Sequence, residues 1–181
     1  MMIRLLEKHY RDHDIAFPIL LEHSHRVADK ALAIGKRLSS HRPVNLKFIE
    51  EAALLHDIGI FLTDAPDIGC FGEKHYLEHG YLGREILEQE GLPEHALVCE
   101  RHIGVGLSRH DIIEQSLPLP QREMMPVSIE EKIIAYSDLF FSKSPADRER
   151  ERPFEQIRQK MSRYGSATTD RLDALHEEFS L

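Results

Sequence analysis

The 181-residue chain has no tryptophan and only two cysteines, Cys70 and Cys99. These two form neither a Cys-x-x-Cys pair nor a disulfide framework, so reduced thiols and a cytoplasmic setting are expected. No run approaches the roughly 18 consecutive apolar residues that a membrane span requires. The opening segment, MMIRLLEKHYRDHD, is charged throughout and lacks the apolar stretch of a secretory signal. Basic residues are also short. Lys and Arg number 23 against 31 Asp and Glu, a net charge of -8. Such a balance repels phosphate backbones and argues against a nucleic-acid polymer as partner. What the chain holds in excess is histidine, with 12 residues. Imidazole is the side chain best suited to metal ligation and to proton transfer near neutral pH.

The length suits one domain, and the apolar positions repeat with helical period nearly everywhere. A short amphipathic segment covers about residues 2–13. Pro18 opens a helix that runs to about Leu38. Asn45 is placed to cap a third helix, which Gly59 is placed to end. Residues 59–75 hold three glycines and a proline and read as a long loop. Helix resumes at HGYLGREILEQE, and Pro93 starts another that reaches His102. A short helix and the proline-punctuated LPLPQREMMPV loop follow. Ser128 and Glu131 form a capping box ahead of IEEKIIAYSDLFFSK, where Lys143 sits at the end of the helix. Pro145 stops that helix, and residues 153–179 read as one or two more. No β-hairpin signal is present. The expected architecture is an all-α bundle, one domain over residues 1–181, with a core of about 18–145 and a C-terminal helical extension of about 146–181.

Several ligand-type residues lie on the apolar stripes. His23 falls between Ile19 and Val27, and His56 precedes Asp57 at a helix end. His79 heads the stripe of Leu82, Gly83 and Ile86, His102 follows Val98 and Cys99, and Asp138 lies among Ile134, Ala135 and Phe141. One histidine on such a stripe is commonly a satisfied core residue. Several ionisable groups directed to one interior are costly unless something pairs with them, and a divalent metal does so. Imidazole and carboxylate donors suit Fe, Mn, Zn, Ni or Co better than Ca or Mg.

The ordered series His, His-Asp, His, His, Asp resembles the HD superfamily of metal-dependent phosphohydrolases. The matching segments are HSHRVADKALAIG, ALLHDIG, HGYLG followed by REIL, ERHIGVG and IIAYSDLFFSK, covering about residues 18–145. The resemblance implies a helical bundle around one or two metal ions. His23, His56, Asp57 and Asp138 would hold one ion, and His79 and His102 a second, with Asp57 bridging and serving as the catalytic residue beside the attacking hydroxide. The chain lacks the GYP tripeptide of the HD-GYP cyclic-dinucleotide phosphodiesterases. It has Arg101-His102 where those proteins have paired histidines.

The implied reaction is hydrolysis of a nucleotide or related small phosphate mono- or diester. A non-catalytic metal- or nucleotide-binding regulatory module and a di-iron oxygenase-like relative are the alternatives. Arg26 and Lys143 are candidate phosphate anchors, with Arg101 behind them. A solvated surface charge is the competing reading of each. His75, Asp64 and Asp67 lie in the loop after the His-Asp pair. That loop is expected to wall or cover the substrate pocket, with LPLPQREMMP as a second wall. The expected partner is a small phosphate ester, with no membrane. A homo-oligomer is left open.

Overall fold

The periodic segments become nine α-helices in the computed structural model, which describes residues 1–148 and 150–180. They are α1 (Met2–His9), α2 (Ala16–Leu38), α3 (Leu46–Leu55), α4 (His79–Gln89), α5 (Pro93–Arg101), α6 (Arg109–Glu114), α7 (Ile129–Asp138), α8 (Phe154–Met161) and α9 (Ser166–Phe179). The fold is all-α. Among the described residues no helix is long and apolar enough to cross a membrane. Cys70 and Cys99 are both free and buried.

Helix α2 is the central element. Its buried residues Leu20, Val27, Ala31, Ile34 and Leu38 recur at helical spacing and carry His23 and Ser24 inward with them. One side of the core joins α2, α3, α7, α8 and α9 through Val27, Ile49, Ile134, Tyr136, Ile157, Leu172 and Phe179. The other side joins α1 to α5 through Leu6, Leu20, Leu55, Ile58, Leu87 and Cys99. The His-Asp pair emerges where these two clusters meet.

Several local expectations need correction. Helix α3 begins after the Asn45 cap, whose side chain accepts the Phe48 N–H. It ends at Leu55, four residues before Gly59, because Asp57 leaves helical geometry at φ -108° and ψ 13°. Gly59 lies inside a 3-10 turn, Ile58–Leu62, and meets the backbone of α4. A Cβ there would come within 2.4 Å of the His79 carbonyl oxygen and 2.6 Å of the Gly83 nitrogen. Its role is close approach rather than termination.

Residues 59–75 are not a plain loop. They hold a small antiparallel hairpin, β1 (Asp64–Ala65) with β2 (Cys70–Phe71), closed through Gly69 at φ +75°. Strands of two residues are too short to show alternation, so the sequence carries no hairpin signal. Ser128 accepts the Glu131 N–H as an N-cap should, but the Glu131 carboxylate takes Arg101 and the Val127 N–H. The box is therefore half made. Helix α7 stops at Asp138, which leaves Lys143 in the irregular segment beyond it.

Candidate metal centre

Five elements deliver one polar group each, or two, to a single buried point. His23 comes from the middle of α2, His56 and Asp57 from the end of α3, His79 from the first residue of α4, His102 from the end of α5, and Asp138 from the end of α7. His56 and Asp57 are fully buried, and His23, His79 and His102 nearly so. Two groups of donor atoms result, each with all members within 4.8 Å: His23, His56, Asp57 and Asp138, and then Asp57, His79 and His102.

The Asp57 carboxylate faces both groups. Its Oδ2 lies 3.2 Å from His23 Nε2 and 3.1 Å from His56 Nε2. Its Oδ1 lies 3.1 Å from His79 Nε2 and 3.5 Å from His102 Nε2, and that oxygen is buried with no hydrogen bond. Asp138 Oδ1 sits 2.9 Å from His23 Nε2.

The opposite face of three imidazoles is fixed by the backbone. Nδ1 of His56 meets the Ala53 carbonyl at 2.7 Å, that of His79 the Tyr76 carbonyl at 2.6 Å, and that of His102 the Cys99 carbonyl at 2.7 Å. A carbonyl only accepts, so each Nδ1 carries the proton. In the neutral ring Nε2 then presents a lone pair to the centre. Nε2 of His79 and Nε2 of His102 are 3.2 Å apart, and those of His23 and His56 are 3.3 Å apart. The lone pairs of His79 and His102 do not face one another at that distance without a cation between them, whereas a protonated His56 can donate to His23 or Asp138. The donor set therefore fits a metal ion of the imidazole- and carboxylate-binding type.

The charge states agree with a cation site. Burial opposes ionisation of Asp57, but the Lys143 ammonium and His56 outweigh it and hold the carboxyl well below the usual range. Asp138 is likewise lowered against burial, by hydrogen bonds from His23 and His56 and by Lys143. Burial disfavours the His56 imidazolium, yet Asp57 and Asp138 lift its pKa to about 10. Burial pushes His102 down and keeps it neutral, more strongly than its contact with Asp57 raises it. Lys143 is raised despite burial, chiefly by Asp57.

A cavity of about 770 Å³ opens from the ligand-type residues. Its lining includes Asp64 to Ile68 of the hairpin segment, as expected for a wall. The 117–126 segment does not contribute. Leu119 and Met124 pack instead with Ile112 in a separate cluster. The second wall is the 138–147 segment with α8 and the residue Arg152 ahead of it, supplying Phe141, Lys143, Arg152, Ile157, Lys160 and Met161.

The candidate anchors divide accordingly. Lys143 lines the cavity, with Nζ 2.5 Å from Asp57 Oδ2 and 3.2 Å from His23 Nε2. Arg26 does not line it. Its guanidinium donates to the Arg148 carbonyl and lies 5.0 Å over the Phe141 ring, so it pins the segment behind the wall. Arg101 pairs with Glu131 at 3.0 Å. His75 caps the 3-10 turn Tyr76–Glu78 by accepting the Leu77 N–H. Sequence reasoning missed Arg152 and Lys160. Nothing in the local sequence marks them, because α8 reaches the cavity only through tertiary packing.

The sequence model described as HD domain matches residues 20–141. Among curated proteins, an uncharacterised protein of Methanocaldococcus jannaschii is 35% identical over 121 residues, covering 66% of this chain and 64% of that protein. A tRNA (cytidine(56)-2'-O)-methyltransferase of Picrophilus torridus is 29% identical over 160 residues, 86% of this chain and 41% of the relative. The enzyme of the same name from Thermoplasma volcanium is 31% identical over 124 residues, 68% of this chain and 32% of the relative. The chain thus spans less than two thirds of the length of these relatives. No solved structure matches the chain.

Proposed function

This chain belongs to the HD domain family, and from that premise we propose that it is a metal-dependent phosphohydrolase acting on a nucleotide or related small phosphate mono- or diester. The observation that carries the reading is the facing of the buried Nε2 atoms of His79 and His102 beside a carboxylate whose Oδ1 has no hydrogen bond. His23, His56, Asp57 and Asp138 would hold one ion, and Asp57, His79 and His102 a second. A bound divalent transition metal supplies Lewis acidity, lowering the pKa of water from 15.7 to roughly 7 and offsetting phosphoryl charge.

The chain's own residues do the rest. Asp57 stays ionised at neutral pH and divides its two oxygens between the two donor groups. The carbonyls of Ala53, Tyr76 and Cys99 orient three imidazoles so that each turns Nε2 to the centre, where a metal ion would take the place of the His56 proton. Lys143 stands at the cavity wall beside Asp57, where its N–H groups can donate to a phosphoryl oxygen. The overall reaction adds water to phosphorus and breaks the ester P–O bond, releasing the alcohol. A cavity of about 770 Å³ suits a ligand of nucleotide size.

The methylation named for two of the relatives is not carried over. The match spans well under half of each of those chains, and the imidazole–carboxylate centre is suited to hydrolysis. The test is metal analysis of the purified protein with a panel of nucleoside monophosphates, cyclic nucleotides and dinucleoside polyphosphates. Phosphate ester cleavage should vanish on chelation and return with Mn or Fe. Cleavage that survives complete demetallation overturns the reading.

A further inference from the structure

The cavity has a cationic side that the metal centre does not use. Three cations line it: Lys143, Arg152 and Lys160. Lys143 is paired with Asp57. Arg152 and Lys160 make no ion pair among the described residues, whereas several other cations in or against the C-terminal region do. Lys30 meets Glu151 at 2.6 Å, Arg158 meets Asp173 at 2.8 Å, and Arg171 meets Asp111 at 2.9 Å.

Both cations line the same cavity. The Arg152 backbone N–H donates to the Phe140 carbonyl at 2.8 Å, which ties it next to the segment that follows Asp138. Lys160 is lowered by burial and then by the Arg152 charge, with Asp138 opposing and Arg163 adding to the repulsion. Asp64, Asp67 and Asp147 also line the cavity, and none comes within ion-pair distance of either cation among the described residues. Two cations that line one cavity without a carboxylate partner can take an anion there.

We propose that Arg152 and Lys160 form an anion clamp for a second phosphoryl or comparable anionic group, so that the preferred substrate carries two anionic groups rather than one. This rests on the phosphohydrolase reading for the placement of the first group at the metal centre. The clamp is a specificity device. It binds the non-reacting anion and leaves the reacting one to the centre.

The test uses two ligands whose P–C bonds do not hydrolyse, methylphosphonate with one anionic group and methylenediphosphonate with two. Binding to the metal-loaded protein is measured by calorimetry, with metal content checked before and after. A charge-assisted contact is worth about tenfold to a hundredfold in affinity. The unaltered protein should therefore bind the diphosphonate at least about tenfold more tightly than the monophosphonate. Arg152→Ala and Lys160→Ala should each reduce that ratio to about two, with methylphosphonate affinity little changed. Lys160→Arg should keep the ratio, and Lys47→Ala, an exposed cation elsewhere, should leave it unaltered. Equal weakening of both ligands would place the cations on the reacting group and overturn the clamp. So would an unchanged ratio in both alanine variants. Ligand discrimination without any ester cleavage would keep the clamp and remove the hydrolase reading, whereas cleavage without discrimination would do the reverse.

Discussion

At the scale of single residues, the centre depends on which atom each imidazole presents. Three rings give Nδ1 to a carbonyl three residues back in the chain, so the local helix end sets the tautomer as well as the position. His79 belongs to only one of the two donor groups. His79→Ala should therefore lower bound metal by one ion per chain and leave the ion of His23, His56, Asp57 and Asp138 in place. Losing an outer hydrogen-bond partner alone costs about 10–100-fold, so loss of a ligand should reduce ester cleavage by at least about 100-fold. Metal analysis and turnover of the variant check this. Loss of all metal would show that the two groups bind as one unit. The six ligand-type residues could be read from the sequence through their ordered series and the family it resembles, with the apolar stripes of four histidines and Asp138 in support. Arg152 and Lys160 could not. A cation on a polar helix face looks the same whether it meets a cavity or bulk water.

At the scale of elements, the turn after α3 has to approach α4 closely enough to bring Asp57 and His79 within 3.1 Å. Gly59 permits that approach, and both of its nearest neighbours are backbone atoms that cannot rotate away. Gly59→Ala should push α4 outward and destabilise the fold by about 1–3 kcal/mol, the usual cost of overpacking. It should also weaken metal binding, because His79 heads the displaced helix. Urea unfolding and a metal titration measure the two effects. Stability within about 0.5 kcal/mol of the parent would show that the contact relaxes freely. The hairpin of residues 64–71 and the 138–147 segment then supply opposite parts of the cavity lining. Helix boundaries from Asn45, Pro93 and Ser128 were legible because caps act locally. The short hairpin and the 3-10 turn were not, since each is decided by what packs against it.

At the scale of the whole molecule, the buried carboxylates and imidazoles make the centre a liability until its charges are matched. Here Lys143 and the protonation of His56 do part of that matching. A metal that binds only the folded state adds stability by mass action, about 2.7 kcal/mol at a free concentration 100 times its Kd. Adding Mn or Fe to stripped protein should raise Tm in a concentration-dependent way, by several degrees for a chain of this size. Calorimetry with and without chelator reads the shift. A Tm that ignores metal would mean that the folded state does not gain from binding it. Helices α8 and α9 share in the same economy of packing, with Ile157, Met161, Leu172 and Phe179 in the core cluster that also holds Val27 and Ile134.

The sequence alone determined the helical class, the run of caps and breaks, and the six residues that converge. The class and breaks follow from periodicity and caps, which are properties of short segments, and the six residues from the ordered series that resembles the family, supported by the cost of burying charge. Only the tertiary structure decided that Arg26 holds the segment behind the wall, that Lys143 reaches Asp57 from beyond the end of α7, and that the C-terminal α8 completes the cavity with Arg152 and Lys160. The first two depend on contacts between segments more than 80 residues apart, the third on how α8 packs back over the segment after α7, and no local pattern encodes them.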